Sequence, residues 1–157
     1  MISKQTFESK YSEKIKKIHE GKTYTSYLTF DPRNNFTWIP VDISIALKGG
    51  FEEMIKKEGF KLTRKVKFSV QAGCHLSLAM PREQTKLDER KLKDAEMKWS
   101  RRGGQARYQI VGCTIYEGTN GLVAALIVTS PDAHKIRDEL GLDYTVAYHP
   151  HITVGET

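Results

Sequence analysis

Two short stretches of the chain repeat one arrangement of side chains. His75-Leu76-Ser77 stands in AGCHLSLAM, and His151-Ile152-Thr153 stands in YHPHITVGET. Each sets an imidazole two positions before a hydroxyl inside an apolar run. On a strand, side chains at i and i+2 share a face. His75 and Ser77 therefore point one way, and Cys74, Leu76, Leu78 and Met80 the other. The same alternation parts His151 and Thr153 from Ile152 and Val154. Imidazole titrates near neutrality and can take or give a proton. A hydroxyl can donate to the non-bridging oxygens of a phosphate, where charge gathers in the transition state. Turned towards one hollow, the two faces supply what metal-free phosphodiester chemistry requires. One ring accepts a proton from an attacking water or ribose 2′-hydroxyl, and the other gives one to the leaving oxygen.

The elements around the two phrases can be read from periodicity. Residues 3–19 predict a helix, with Phe7, Tyr11, Ile15 and Ile18 at spacings of three and four and Gly21 as its stop. His19 and His134, set among charged neighbours on helices, read as surface residues. TYTSYLTF, residues 23–30, alternates and predicts a strand. DPRNNFTWIP is a loop, and residues 42–58 predict a helix capped by Asp42 and weakened by Gly49-Gly50. KVKFSV and CHLSLAM predict strands, and PREQTKLDERKLKDAEMKWS a charged helix. Two apolar strands then flank Asn120-Gly121, the pair favoured in a type I′ hairpin turn. SPDAHKIRDELG predicts a helix with Ser130 as N-cap, Pro131 at its first position and Gly141 past its end. HITVGE is the closing strand. Helices and strands alternate in two halves, each delivering one copy of the phrase, which predicts a single α+β domain over residues 1–157.

At 157 residues with 28% charged and 39% apolar side chains, the chain is long and apolar enough to fold around a core. Its net charge of +6 favours a polyanionic partner such as a nucleotide or RNA, although Lys-rich stretches such as KYSEKIKK read as solvated helix faces. Cys74 and Cys113 sit in apolar runs without a C-x-x-C pair, so they read as buried free thiols in a reducing, cytoplasmic setting. Strand alternation turns Cys74 away from His75, against a Cys–His nucleophile. No run approaches the ~20 residues of a membrane span, no secretory leader is read in the first residues, and no obligate protein partner is legible.

The paired phrases CHLSLAM and HPHITVGE resemble the 2H phosphoesterase superfamily, whose signature is two His-x-Ser/Thr motifs on strands of two duplicated lobes. The resemblance spans roughly Tyr24 to Glu156. It implies a bilobal, duplicated α+β fold, with two antiparallel sheets lining a central cleft and helices outside. It also implies metal-independent cleavage or transfer at phosphodiesters of RNA ends, 2′,3′-cyclic phosphates or small nucleotides, with no cofactor. His75, Ser77, His151 and Thr153 are then the catalytic four. ELGLDYTVAYHPHITVGE further resembles the "Swiss army knife" subgroup, which includes phage enzymes that destroy cyclic oligonucleotide signals of bacterial CBASS immunity. The charged insertion at residues 81–107 matches no single branch.

Other residues compete for roles. His149-x-His151 with His75 could hold a metal, but the hydroxyl residues would then have no task; otherwise His149 lines the cleft. Trp99, Arg101, Arg102 and Arg107 surround a diglycine in WSRRGGQARY, a set suited to phosphate and base that could close as a lid. Tyr144 and Tyr148, just before the second phrase, are candidates for stacking on a base. Tyr24, Tyr27 and Trp38 read more readily as core. Two other functional classes stay open on these residues: a nucleotide- or RNA-binding module without catalysis, and a His-ligated metal enzyme.

Overall fold

The computed structural model describes residues 1–31, 36–63, 74–79, 89–142 and 149–157. Its strands are β1 (Tyr24–Tyr27), β2 (Thr29–Asp31), β3 (Phe36–Pro40), β4 (Lys61–Leu62), β5 (His75–Ala79), β6 (Gln105–Gly118), β7 (Gly121–Thr129) and β8 (His151–Glu156). Its helices are α1 (Lys4–Ile18), α2 (Ile43–Ala46), α3 (Phe51–Lys57), α4 (Glu89–Arg101) and α5 (Pro131–Glu139).

The stretch 23–30, one strand by alternation, is two. It breaks at Leu28, whose N–H donates to the Gly104 carbonyl at 2.9 Å. β1 then pairs with β6 and β2 with β3, the two ends of the strand order β1-β6-β7-β8-β5-β3-β2. Because three consecutive residues join both ends of that order, the sheet curls until it nearly closes. Every pairing of the described strands is antiparallel, and β4 adds to β8 off the main path. The described strands thus make a mixed α/β fold around one eight-stranded antiparallel sheet, seven strands on the main path and β4 beside β8.

Phe7, Tyr11 and Ile15 recur every fourth residue and are buried, so α1 packs its apolar stripe on β6. The next position of that stripe is His19. Far from lying on the surface, it is 2% exposed, because the four-residue spacing outranks its charged neighbours Lys17 and Glu20. The helix expected over 42–58 is two helices, since Gly49 and Gly50 adopt φ +74 and +81. Asp42 caps the first, accepting from the Ser44 N–H at 2.8 Å. The hairpin pairs Gly118 with Gly121, so its turn holds Thr119-Asn120, one residue before the expected pair. Gly121 opens β7 instead; a Cβ there would stand 2.5 Å from Thr157 Oγ1. The α5 signals hold: Ser130 Oγ accepts from the Ala133 N–H at 3.1 Å, and Gly141 takes φ +72. KVKFSV lies outside the described residues.

Leu76, Leu78, Ile152 and Val154 are all 0% exposed. Full burial of one such side chain stabilises by ~1.5–3 kcal/mol, which holds β5 and β8 against the core and leaves their other face for polar residues.

Candidate active site

β5 and β8 are neighbours, paired antiparallel with Leu76 opposite Ile152. Both of these are core residues, so the residues one step away share the opposite face. An antiparallel register sets i+1 against j−1. His75 therefore comes opposite Thr153, and Ser77 opposite His151. Cβ atoms so placed are ~4.5–5.5 Å apart. The two phrases lie crosswise, each ring beside the other phrase's hydroxyl, and all four residues are half-buried. Flanking strands complete the floor: on β3, Pro40 pairs with His75 and Trp38 with Ser77; on β7, Ile127 pairs with His151 and Ala125 with Thr153. Trp38 is buried, as expected, yet its register sets it beside Ser77.

The His151 ring is held at both nitrogens. Nδ1 lies 2.7 Å from the His149 carbonyl oxygen, which can only accept, so Nδ1 carries a hydrogen. Nε2 faces a different partner: 3.2 Å from it lies the Tyr116 hydroxyl. The same hydroxyl is 3.1 Å from Thr153 Oγ1, and the Tyr116 and His151 rings meet edge-on at 5.2 Å. Tyr116 thus reaches across β7, the strand between β6 and β8.

Tyr116 is the residue that sequence reasoning misses, and the cause is local. Ala106, Tyr108 and Ile110 are buried, so strict alternation along β6 sends residue 116 into the core. A register shift between Ile110 and Gly112 reverses the phase. Beyond it Cys113 and Ile115 are buried, and Tyr116 turns to the polar face. The shift sits where α1 crosses β6. A Cβ on Gly112 would stand 2.3 Å from Ser12 Oγ, and that oxygen accepts from the Cys113 N–H at 3.1 Å. A glycine inside an apolar strand was the one signal available.

The scan against known families matches residues 43–157, a span holding both phrases, to the model described as Swiss Army Knife, 2H phosphoesterase domain. The chain belongs to the 2H phosphoesterases. It is a phosphodiesterase of that family, a hydrolase. Neither the curated proteins nor the solved structures gave a match. α1 and the first three strands lie before the matched span.

In this phosphoesterase the cysteines are inert. Both are free and buried, and burial pushes each thiol up to about 12, with Asp42 adding at Cys74 and Glu8 at Cys113. Among the described residues no group of three or more His, Cys, Asp and Glu side chains is placed to hold a metal ion. His149 is exposed, and its carbonyl anchors the His151 ring.

The arginine loop of the phosphoesterase is placed elsewhere. Arg101 is exposed at the end of α4. Arg102 covers the Trp99 ring at 4.8 Å and forms an ion pair with Glu139. The Arg107 backbone N–H and Nε both donate to Asp132 Oδ2, at 2.8 and 3.2 Å. Trp99 is only 5% exposed, so it packs in the core and presents no free face to a base. Gly112 pairs with Ile127, and Ile127 with His151. Arg107 is therefore two strands over from His151 and roughly 15 Å further along the sheet at ~3.3 Å per residue. Tyr144 and Tyr148 lie outside the described residues. No helix among the described residues is long and apolar enough to cross a membrane.

Proposed function

We propose that this 2H phosphoesterase hydrolyses nucleotide phosphodiester bonds without a metal, with His75 and His151 exchanging protons and Ser77 and Thr153 binding the phosphate. The observation that carries the reading is the Leu76–Ile152 pair, from which the crosswise arrangement of both phrases follows. Phosphorus centred over that pair has a ring on either side, as in-line attack and departure require. A hydroxyl beside each ring can donate to a non-bridging oxygen. Each positioned proton transfer is worth ~10²–10⁴-fold in rate. The near two-fold relation of the phrases is in keeping with an origin in two duplicated lobes.

The proposed substrates are soluble cytoplasmic nucleotides: 2′,3′-cyclic phosphate ends, or cyclic oligonucleotide signals such as those of CBASS immunity. His149, Tyr144, Tyr148 and Arg101 are the proposed contacts outside the phosphate. Arg102 and Arg107 would join them only by leaving their carboxylates.

The test is a panel of 2′,3′-cyclic nucleotides and cyclic di- and trinucleotides, incubated with the protein in excess chelator and resolved by chromatography. Turnover by the wild type and none by His75→Ala or His151→Ala is the expected result. Full activity in either variant, or binding of every compound without product, would overturn the proposal.

A further inference from the structure

Tyr116 has one hydrogen and two neighbours that could receive it. Its hydroxyl lies 3.2 Å from His151 Nε2 and 3.1 Å from Thr153 Oγ1, while Nδ1 of the same ring already donates to the His149 carbonyl. Two arrangements place a hydrogen in both gaps while keeping the Tyr116 hydrogen between its two neighbours. In the first, Thr153 donates to Tyr116, and Tyr116 donates to a neutral His151; the Thr153 hydrogen is then spent inside the protein. In the second, a doubly protonated His151 donates from Nε2 to Tyr116, and Tyr116 donates to Thr153. The Thr153 hydrogen is then free for a ligand. A mixed arrangement, with Thr153 donating outward and Tyr116 donating to His151, leaves two oxygens facing each other at 3.1 Å with no hydrogen between them.

We infer that Tyr116 is a positioning residue that couples the phosphate bond of Thr153 to the proton on His151, so that His151 is the acid of the reaction and His75 the base. The inference rests on the function proposed above. A phosphate that takes the Thr153 hydrogen bond selects the second arrangement, and with it the imidazolium. The 3.2 Å contact is long for an N–H···O bond, so the ring can hand its proton to a better-placed acceptor. In the step itself a water oxygen bonds to phosphorus and gives its proton to His75. The bond from phosphorus to the leaving oxygen breaks, and that oxygen takes the proton from His151 Nε2. Tyr116 then turns its hydrogen towards the neutral Nε2. Exchange with solvent restores both rings.

The experiment compares two phosphodiesters: a 2′,3′-cyclic nucleotide, whose alkoxide must be protonated as it leaves, and a p-nitrophenyl ester, whose phenolate leaves unaided. Tyr116→Phe keeps the ring against His151 and removes only the hydroxyl. On the cyclic nucleotide it should lower kcat about tenfold, the scale of one hydrogen bond to a charged group, with KM changed less than twofold. On the p-nitrophenyl ester the loss should nearly vanish. His151→Ala should show the same rescue from a larger deficit, and His75→Ala none.

Equal losses of Tyr116→Phe on both esters would make the tyrosine mere packing and overturn the inference. So would rescue of His75→Ala in place of His151→Ala. A readout free of turnover is ¹⁵N NMR of His151 with inorganic phosphate as the probe: phosphate should protonate both ring nitrogens in the wild type but not in Tyr116→Phe. That signature in a protein that cleaves neither ester would sink the hydrolytic reading while sustaining the coupling. Its absence would sink the coupling by itself.

Discussion

Among the described residues, two histidine–tyrosine pairs have nearly the same shape. His19 and Tyr24 meet edge-on with centroids 5.6 Å apart at 77°, and His151 and Tyr116 at 5.2 Å and 72°. In each, a ring nitrogen faces a phenolic hydroxyl: Nδ1 of His19 at 2.6 Å and Nε2 of His151 at 3.2 Å. What surrounds the pair separates them. His19 is 2% exposed, and its Nε2 has no hydrogen-bond partner among the described residues. Burial, then the positive Lys48 and Lys22, lower it to about 4, so it is a neutral packing group at physiological pH. His151 is half-buried, with Nδ1 on a carbonyl and Nε2 beside the Tyr116 hydroxyl, which in turn meets the hydroxyl of Thr153. A tyrosine hydroxyl at an imidazole is thus no mark of catalysis. Partial exposure and the second hydroxyl are what set the His151 pair apart and suit it to the proposed chemistry.

The largest effect should divide the two pairs. His151→Ala and His75→Ala should each lower kcat on a cyclic nucleotide by about 10²–10⁴-fold, with unfolding midpoints near that of the wild type. His19→Gln should do the reverse, keeping kcat within about twofold and lowering the urea midpoint. A His19 variant that folds and loses turnover would erase the distinction.

Next is the response of stability to pH. His19 binds a proton near 6.5 in the unfolded chain and only near 4 in the folded one. Between these values the unfolded chain holds more protons, so stability falls as pH falls. The contribution is fully present above about pH 6.5, and up to about 3 kcal/mol is lost on reaching pH 4. Urea unfolding at several pH values, wild type against His19→Gln, isolates it from the carboxylates, since the difference between the two proteins should shrink across that window. A constant difference would mean that the ring is solvated.

A smaller change should follow from Tyr24→Phe, which leaves Nδ1 of a buried ring without its partner. The cost is about 1–2 kcal/mol in stability, read from the same unfolding curves, with kcat unaltered. Tyr116→Phe should show the opposite pattern, which makes the two Phe variants a matched pair.

Much of this was legible in the sequence where one period governs. α1, α5 and the two His-x-hydroxyl strands follow from spacing and caps, and the polar face of each strand follows from alternation. Legibility failed where two signals met. His19 obeys the four-residue stripe of Phe7, Tyr11 and Ile15 while its neighbours along the chain are charged. Tyr116 obeys alternation only after the shift at Gly112, which α1 imposes from a hundred residues away in sequence. The break at Leu28 depends on the carbonyl of Gly104, and the fate of Arg102 and Arg107 depends on carboxylates of α5. None of these partners is local, so no window of sequence contains them.

The arginine loop gives the smallest expected effect and the finest contrast with the histidine face. Arg107 is 69% exposed at its side chain, and its bond to Asp132 is an ordinary surface ion pair. Arg107→Ala should therefore change stability by less than about 1 kcal/mol. Its distance along β6 from the His151 register keeps it clear of a mononucleotide, so kcat/KM for a 2′,3′-cyclic nucleotide should shift by less than twofold. A cyclic trinucleotide extends further over the sheet and carries further phosphates. If KM for that substrate alone rises in Arg107→Ala, and the rise fades at high salt, then Arg107 exchanges Asp132 for a distant phosphate. In that case the region that fastens β6 to α5 in the free protein is also the far end of the substrate site. If neither substrate responds, the loop is a clasp and the site ends at the histidine face.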